Sequence, residues 1–215
     1  MDDGLYRDVV ELAAQAPGWV RWLAETGTDG VLVVFAALMS AAWWRARRGS
    51  SERMASALLV PVAMVASYVV SEVVKGLAQE DRPCRLPQGM ATIVPCPAYG
   101  DWSWPSNHAT LVAAAAGGLV LAWRALAPYV VVLALLGGGS RVFVGVHYPR
   151  DVVMGLLLGG VLAPVLVLAL RGPVTTLVLR LREQATTRPL LAAPVPDEPP
   201  MPWTDGPRHA EHRHR

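Results

Sequence analysis

Charge is what this sequence has least of. Only 17% of its 215 residues are Asp, Glu, Lys or Arg, against about 25% in an ordinary soluble domain. The shortage is uneven. From Met54 to Leu170 the charged residues are Glu72, Lys75, Glu80, Asp81, Arg82, Arg85, Asp101, Arg124, Arg141, Arg150 and Asp151. Nearly all fall in short clusters, and the stretches between them are almost bare. With 53% apolar residues, this is the pattern of membrane spans joined by polar loops. The net charge of +2 gives no reason to expect a nucleic-acid partner. No cleavable signal peptide is legible either: MDDGLYRDVVELAAQ is acidic and lacks an apolar core of the needed length. Any export therefore comes from insertion of the spans themselves.

What is there reads as all-α. Residues 1–28 carry apolar side chains at Leu5, Val9, Leu12, Ala16, Val20 and Leu23, close to helical spacing, with charges at Arg7, Asp8, Glu11 and Arg21. This predicts an amphipathic helix, broken near Pro17-Gly18, that lies in the membrane interface or packs on the domain as a soluble helix. Residues 29–172 form the membrane domain, with spans near Gly30–Trp44, Met54–Val74, His108–Trp123, Leu126–Val146 and Val152–Leu170. Each approaches the ~20 residues a bilayer crossing needs. Residues 173–188 read as a basic juxtamembrane segment or helix. Residues 189–215 are Pro-rich and too polar to bury a core, which predicts a disordered cytoplasmic tail. Its three histidines could hold a metal weakly, a solvated tail being the plainer reading.

Arginine placement sets the orientation. Arg45, Arg47, Arg48 and Arg53 separate spans one and two, Arg124 separates three and four, and Arg171, Arg180, Arg182 and Arg188 follow span five. The positive-inside rule puts these on the cytoplasmic side of a plasma-membrane, multi-pass protein. Segments 75–107 and 146–151 then share the outer side. Cys84 and Cys96 both lie there. An oxidising compartment would favour a disulfide between them, and two free thiols are the alternative.

Charges at span margins are costly and usually functional. Three groups stand out, all on the outer side: Lys75 with Arg82 in KGLAQEDRP; Ser106, Asn107 and His108 in WPSNHA; and Arg141, His147 and Asp151 in SRVFVGVHYPRD. Lys75, Arg82 and Arg141 are cations suited to phosphate oxygens. Ser106 sits at an N-cap position, where free N–H groups and the helix dipole add an anion site. His147 and Asp151 have the i,i+4 spacing of one helical face, so the carboxylate can orient an imidazole as a nucleophile. His108 is the candidate general acid. Taken singly, such residues are usually interfacial anchors or snorkelling arms. Their joint placement on one side favours function.

These segments resemble the tripartite signature of the type 2 phosphatidic acid phosphatase superfamily, which includes vanadium-dependent haloperoxidases. Its pattern K-x6-R-P is matched by Lys75 to Pro83, and S-R-x5-H-x3-D by Ser140 to Asp151. P-S-G-H is matched except for Asn107 in place of glycine. The resemblance implies an integral membrane helical bundle of five to six helices with the phosphatase core shared with those haloperoxidases. It implies His147 as the residue that forms a phosphohistidine, Asp151 as its support and His108 as acid. It implies phosphate contacts at Lys75, Arg82, Ser106, Asn107 and Arg141, with no metal and no cofactor. The expected partners are the bilayer and a membrane lipid substrate, and a homo-oligomer stays open. The function it implies is hydrolysis of a lipid phosphate or diphosphate, polyprenyl diphosphate first, with phosphatidic acid or phosphatidylglycerol phosphate as alternatives. Readings of another class are a non-catalytic lipid-binding or transport protein and a haloperoxidase. The intact histidines argue against the former and the spans against the latter.

Overall fold

In the computed structural model, which describes residues 2–85, 92–184 and 186–191, the elements are helical. They are α1 (Asp2–Gln15), α2 (Gly18–Ala46), α3 (Ser51–Ala78), α4 (Asn107–Ala122), α5 (Ala127–Phe143), α6 (Pro149–Glu183) and a single turn α7 (Arg188–Leu191). Short 3-10 turns follow Arg82 and precede α5. Four of these helices, α2, α3, α5 and α6, are long and apolar enough to cross a membrane, and their lipid-facing sides carry exposed Val and Leu.

The shorter α4 is the axis of the bundle. Ala109, Thr110, Val112 to Ala116, Gly118 and Leu119 are buried around its whole circumference. At ~1.5 Å per residue it is ~24 Å long, short of the ~30 Å hydrocarbon layer. Its neighbours shield it from lipid, so the shortfall costs little. Phe35 of α2, Val60 of α3, Val112 and Leu119 of α4, and Val130 of α5 form the largest core cluster.

Several boundaries differ from the sequence reading. The break at Pro17 is real, but α2 then runs without interruption from Gly18, so the first span starts well before Gly30. Proline fits there because its fixed φ and missing N–H suit the residue just before a helix. The basic segment expected after span five is a continuation of α6, which is 35 residues long. Residues 188–191, assigned to the juxtamembrane segment and tail, form the turn α7. Leu191 packs with Ala46, Met54 and Val178, and its carbonyl accepts a 2.7 Å hydrogen bond from Arg182 Nε. The rest of the expected tail, with its histidines, lies outside the described residues.

The two ends of the bundle are chemically distinct. At one end Arg182 Nη1 donates to Gly49 O and Ser51 Oγ, and the Arg45 guanidinium lies 5.1 Å over the Trp123 ring. The α2–α3 and α4–α5 connections thus meet the end of α6, and the basic clusters gather there. At the other end the backbone N–H of Ser106 donates to Asp151 O at 3.0 Å, which joins the starts of α4 and α6 directly. Tyr6 of α1 reaches the same end, donating to Gly145 O at 2.9 Å and packing against Tyr148.

Candidate active site

Each of the three sequence segments brings its residues to this second end. Ser106 caps α4: its hydroxyl accepts from Ala109 N–H, and it is fully buried. The link from α5 to α6 turns at Gly145, whose φ of +89° is a left-handed conformation, and where a Cβ would meet Thr92 at 2.8 Å. Only glycine fits such a place without strain. The turn delivers Val146 and His147 beneath the segment from Asp101 to Trp104.

His147 and Asp151 meet, though not on one helical face. α6 begins at Pro149, so His147 lies in the preceding link. Asp151 belongs to the first turn, and its Oδ2 accepts from Tyr148 N–H at 2.9 Å and faces His147 Nδ1 at 3.4 Å. The carboxylate caps its own helix, and that cap positions it under the imidazole. Ser103 completes the arrangement, with Oγ 2.5 Å from Asp151 Oδ2 and 3.4 Å from His147 Nδ1.

On the other side of the ring, Arg82 Nη1 lies 3.0 Å from His147 Nε2 and donates to Val146 O at 3.1 Å. A guanidinium has no acceptor. Nε2 is therefore the accepting, unprotonated nitrogen, and Nδ1 carries the proton toward Asp151. Burial, with Arg82 and Arg141 nearby, holds the His147 pKa below the ordinary value of 6.5 against the pull of Asp151. The imidazole is neutral.

The three cations do not all have the same partners in this structure. Lys75 Nζ and Arg82 Nη2 both donate to Asp101 Oδ1, at 2.7 and 2.8 Å, and Arg82 Nε donates to Asp101 O at 2.9 Å. Burial alone would raise the Asp101 carboxyl, but the hydrogen bonds from Lys75 and Arg82 prevail and hold it below the usual carboxylate range. Arg141 instead donates to Thr28 Oγ1 at 3.1 Å and lies 3.9 Å from Asp29. Its Nε and His108 Nε2 are buried with no hydrogen-bond partner. Asn107 turns toward α3, accepting from Ser71 Oγ at 2.7 Å and donating to Glu72 Oε1. The residue that replaces glycine therefore ties α4 to α3.

Sequence reasoning missed Asp101, Ser103 and Thr28. Two buried cations near one membrane surface need a counter-charge, but Glu72, Glu80 and Asp81 stand nearer to them in the sequence and masked Asp101. Ser103 and Thr28 had no signal, because hydroxyls are common in loops and helix ends. Cys84 and Cys96 form the disulfide, with Cα atoms 5.9 Å apart. Among the described residues no three His, Cys, Asp or Glu side chains are grouped to share a metal ion.

A helical bundle with a His–Asp pair, an arginine on the free ring nitrogen and a neighbouring lysine at one end defines a class. The chain belongs to the PAP2 superfamily, whose family profile matches residues 56–172. Among named relatives, the undecaprenyl-diphosphatase of Sulfolobus acidocaldarius is 36% identical over 101 residues, which is 46% of this chain and 47% of that protein. Undecaprenyl-diphosphatase BcrC of Bacillus subtilis is 28% identical over 130 residues, 60% of this chain and 64% of that one. The matches thus span about half to two thirds of these relatives' lengths. The fold is similar to the crystal structure of a transmembrane PAP2 type phosphatidylglycerolphosphate phosphatase from Bacillus subtilis. That match has a TM-score of 0.57 and 21% identity, and covers 80% of this chain and 85% of that one.

Proposed function

We propose that this chain is a lipid phosphatase that hydrolyses a terminal phosphate, with polyprenyl diphosphate as its preferred substrate. The observation that carries the reading is the setting of His147. Its Nε2 faces the Arg82 guanidinium, while its Nδ1 is turned toward Asp151. In the first step Nε2 attacks the terminal phosphorus, the P–O bond to the departing group breaks, and His108 protonates that oxygen. Asp151 stabilises the imidazolium that forms. In the second step water, deprotonated by His108, attacks phosphorus; the N–P bond breaks and inorganic phosphate leaves. Lys75, Arg82 and Arg141 offset charge on the equatorial oxygens, with Ser106 and Asn107 completing the pocket at the start of α4. The unpartnered His108 Nε2 and Arg141 Nε are buried polar atoms of the kind a bound ligand would satisfy.

A cavity of about 320 Å³ opens beside Lys75 between Tyr68, Glu72, Gly76 and Trp102. It adjoins the lipid-facing side of α3, where Tyr68, Val69 and Val73 are exposed. A headgroup can enter there while its tail stays in the bilayer. By the positive-inside rule the arginine-rich end faces the cytoplasm, so this site serves the outer leaflet, and α1, with Leu5 and Leu12 exposed, lies in the interface above it. The two named relatives are undecaprenyl-diphosphatases, which supports polyprenyl diphosphate ahead of other lipids.

The test is phosphate release in detergent from polyprenyl diphosphate, phosphatidic acid and phosphatidylglycerol phosphate. The first should turn over fastest, and orthovanadate, as a trigonal bipyramidal mimic on His147, should inhibit at micromolar to millimolar levels. Faster turnover of either glycerolipid would reassign the substrate; the absence of release from all three would reject the phosphatase.

The pH dependence has a definite sign. The attacking form is the neutral imidazole, and His147 titrates below 6.5. In the substrate-free wild-type chain the His147 imidazole should therefore stay neutral as pH falls through 6.5 and charge only at lower pH, read from its ring NMR resonances. A titration midpoint at 6.5 or above contradicts this.

A further inference from the structure

Asp101 sits where a phosphate oxygen belongs under the reading above, on which this inference rests. Its Oδ1 bridges Lys75 Nζ and Arg82 Nη2. Those two cations are held in place, with side chains only 5% and 3% exposed, whereas the Asp101 side chain is 47% exposed. The other half of the site is engaged too, because Arg82 Nη1 lies on the Nε2 lone pair that must attack. The protein thus fills both the anion seat and the nucleophile's free position with its own groups.

The loop does not need the carboxylate there to hold its path. Arg82 Nε binds the carbonyl of Asp101, Arg85 Nη2 donates to Pro97 O and Ala98 O, and Ser103 N–H donates to Glu80 O at 2.8 Å. Rotation about the side chain of Asp101 would release it to water while these contacts remain. Arg82 would then be free to turn from His147 toward an incoming group.

Charge decides what can take the seat. A carboxylate carries one negative charge, and so does the phosphodiester of an ordinary phospholipid. A phosphomonoester, or the terminal phosphate of a diphosphate, carries nearly two charges and three equivalent oxygens. Beside buried cations such a difference is large.

We propose that Asp101 is a specificity-determining residue: a resident anion that only a phosphoryl dianion displaces, keeping phosphodiester headgroups of the surrounding bilayer out of the site. A seat closed in most molecules lowers apparent affinity for every ligand by the open fraction, and singly charged ligands then fall below useful binding.

The test uses the full chain in detergent, with Asp101→Asn and Asp101→Ser. In the wild type an excess of phosphatidylglycerol should leave phosphate release unchanged. In both variants the inhibition constant for orthovanadate should fall about tenfold, the size of effect expected if the seat is closed in roughly nine molecules of ten, and phosphatidylglycerol should become a competitive inhibitor. An unchanged or higher vanadate constant overturns the proposal and makes Asp101 a residue that merely orders Lys75 and Arg82. A wild-type measurement covers the case in which the variants do not fold. Saturating vanadate should move the side-chain carboxyl NMR resonance of Asp101 to that of a solvated aspartate, and an unmoved resonance overturns the proposal. This second measurement needs no turnover, so it separates failure of the Asp101 role from failure of the phosphatase reading, which shows as absent phosphate release from wild type.

Discussion

His147→Ala should abolish turnover, lowering kcat by about four orders of magnitude or more, while lipid binding survives. The effect is large because the residue's place in the proposed chemistry is covalent: without Nε2 there is no N–P bond, and water must attack the terminal phosphoryl group directly. The cations proposed to hold the phosphate do not depend on the imidazole, since Arg82 is held by the backbone carbonyls of Asp101 and Val146. Phosphate release and binding of a labelled lipid should therefore separate. Turnover equal to wild type would remove His147 from the mechanism. A parallel loss of binding would mean that the imidazole holds the pocket together. Asp151→Asn is the companion variant. An amide can still accept from Tyr148 N–H, yet it no longer stabilises an imidazolium, so its loss falls in kcat.

Among the described glycines, Gly159→Ala should have the largest effect on stability. A Cβ at position 159 would stand 2.1 Å from Thr110 O and 2.8 Å from Ala114 N, and one at Gly155 would stand 2.4 Å from Ser106 O. These are backbone atoms of α4, which cannot rotate aside. Overpacking of this kind costs about 1–3 kcal/mol or more, here by forcing α6 away from α4. Small residues four apart allow close approach of membrane helices, and the 155–159 pair does so at the segment that ties Ser106 to Asp151. The thermal midpoint of Gly159→Ala in detergent should fall by several degrees, and activity should fall with it even below the transition. Gly139→Ala is the control, because nothing lies within 4 Å of a Cβ there. Equal midpoints in the two variants would show that the α4–α6 contact is looser than described.

The class of fold and the candidate site were both legible because hydrocarbon is an unforgiving solvent. It strips charge from spans, so the few charged residues that remain mark ends and sites. Their spacing in KGLAQEDRP and SRVFVGVHYPRD survived as proximity in space. Helix ends were harder to read. Gly27, Thr28, Asp29 and Gly30 look like a polar stop, yet α2 runs through them because Thr28 is buried against Arg141 and Ser140, where its hydroxyl is needed. Polarity at that place is a contact and not a boundary. In the same way the His147–Asp151 spacing gave the right pair for a reason that does not apply. The carboxylate reaches the ring through the cap of α6, and a spacing rule cannot tell the two geometries apart. Asp101 was hidden for a further reason: its role comes from a loop path, and loop paths leave no periodic trace.

The clasp of Tyr6 on the carbonyl of Gly145 places the amino-terminal helix in the working end of the molecule. The phenol holds the very turn that presents the imidazole, and its ring lies 5.4 Å from that of Tyr148, next to the same imidazole in the chain. A shortened chain that begins at α2 would keep every residue of the signature and lose the brace on its most important turn. What the bilayer does to α1, through thickness, curvature or lateral pressure, would pass to that turn through Tyr6 and the apolar contacts beside it.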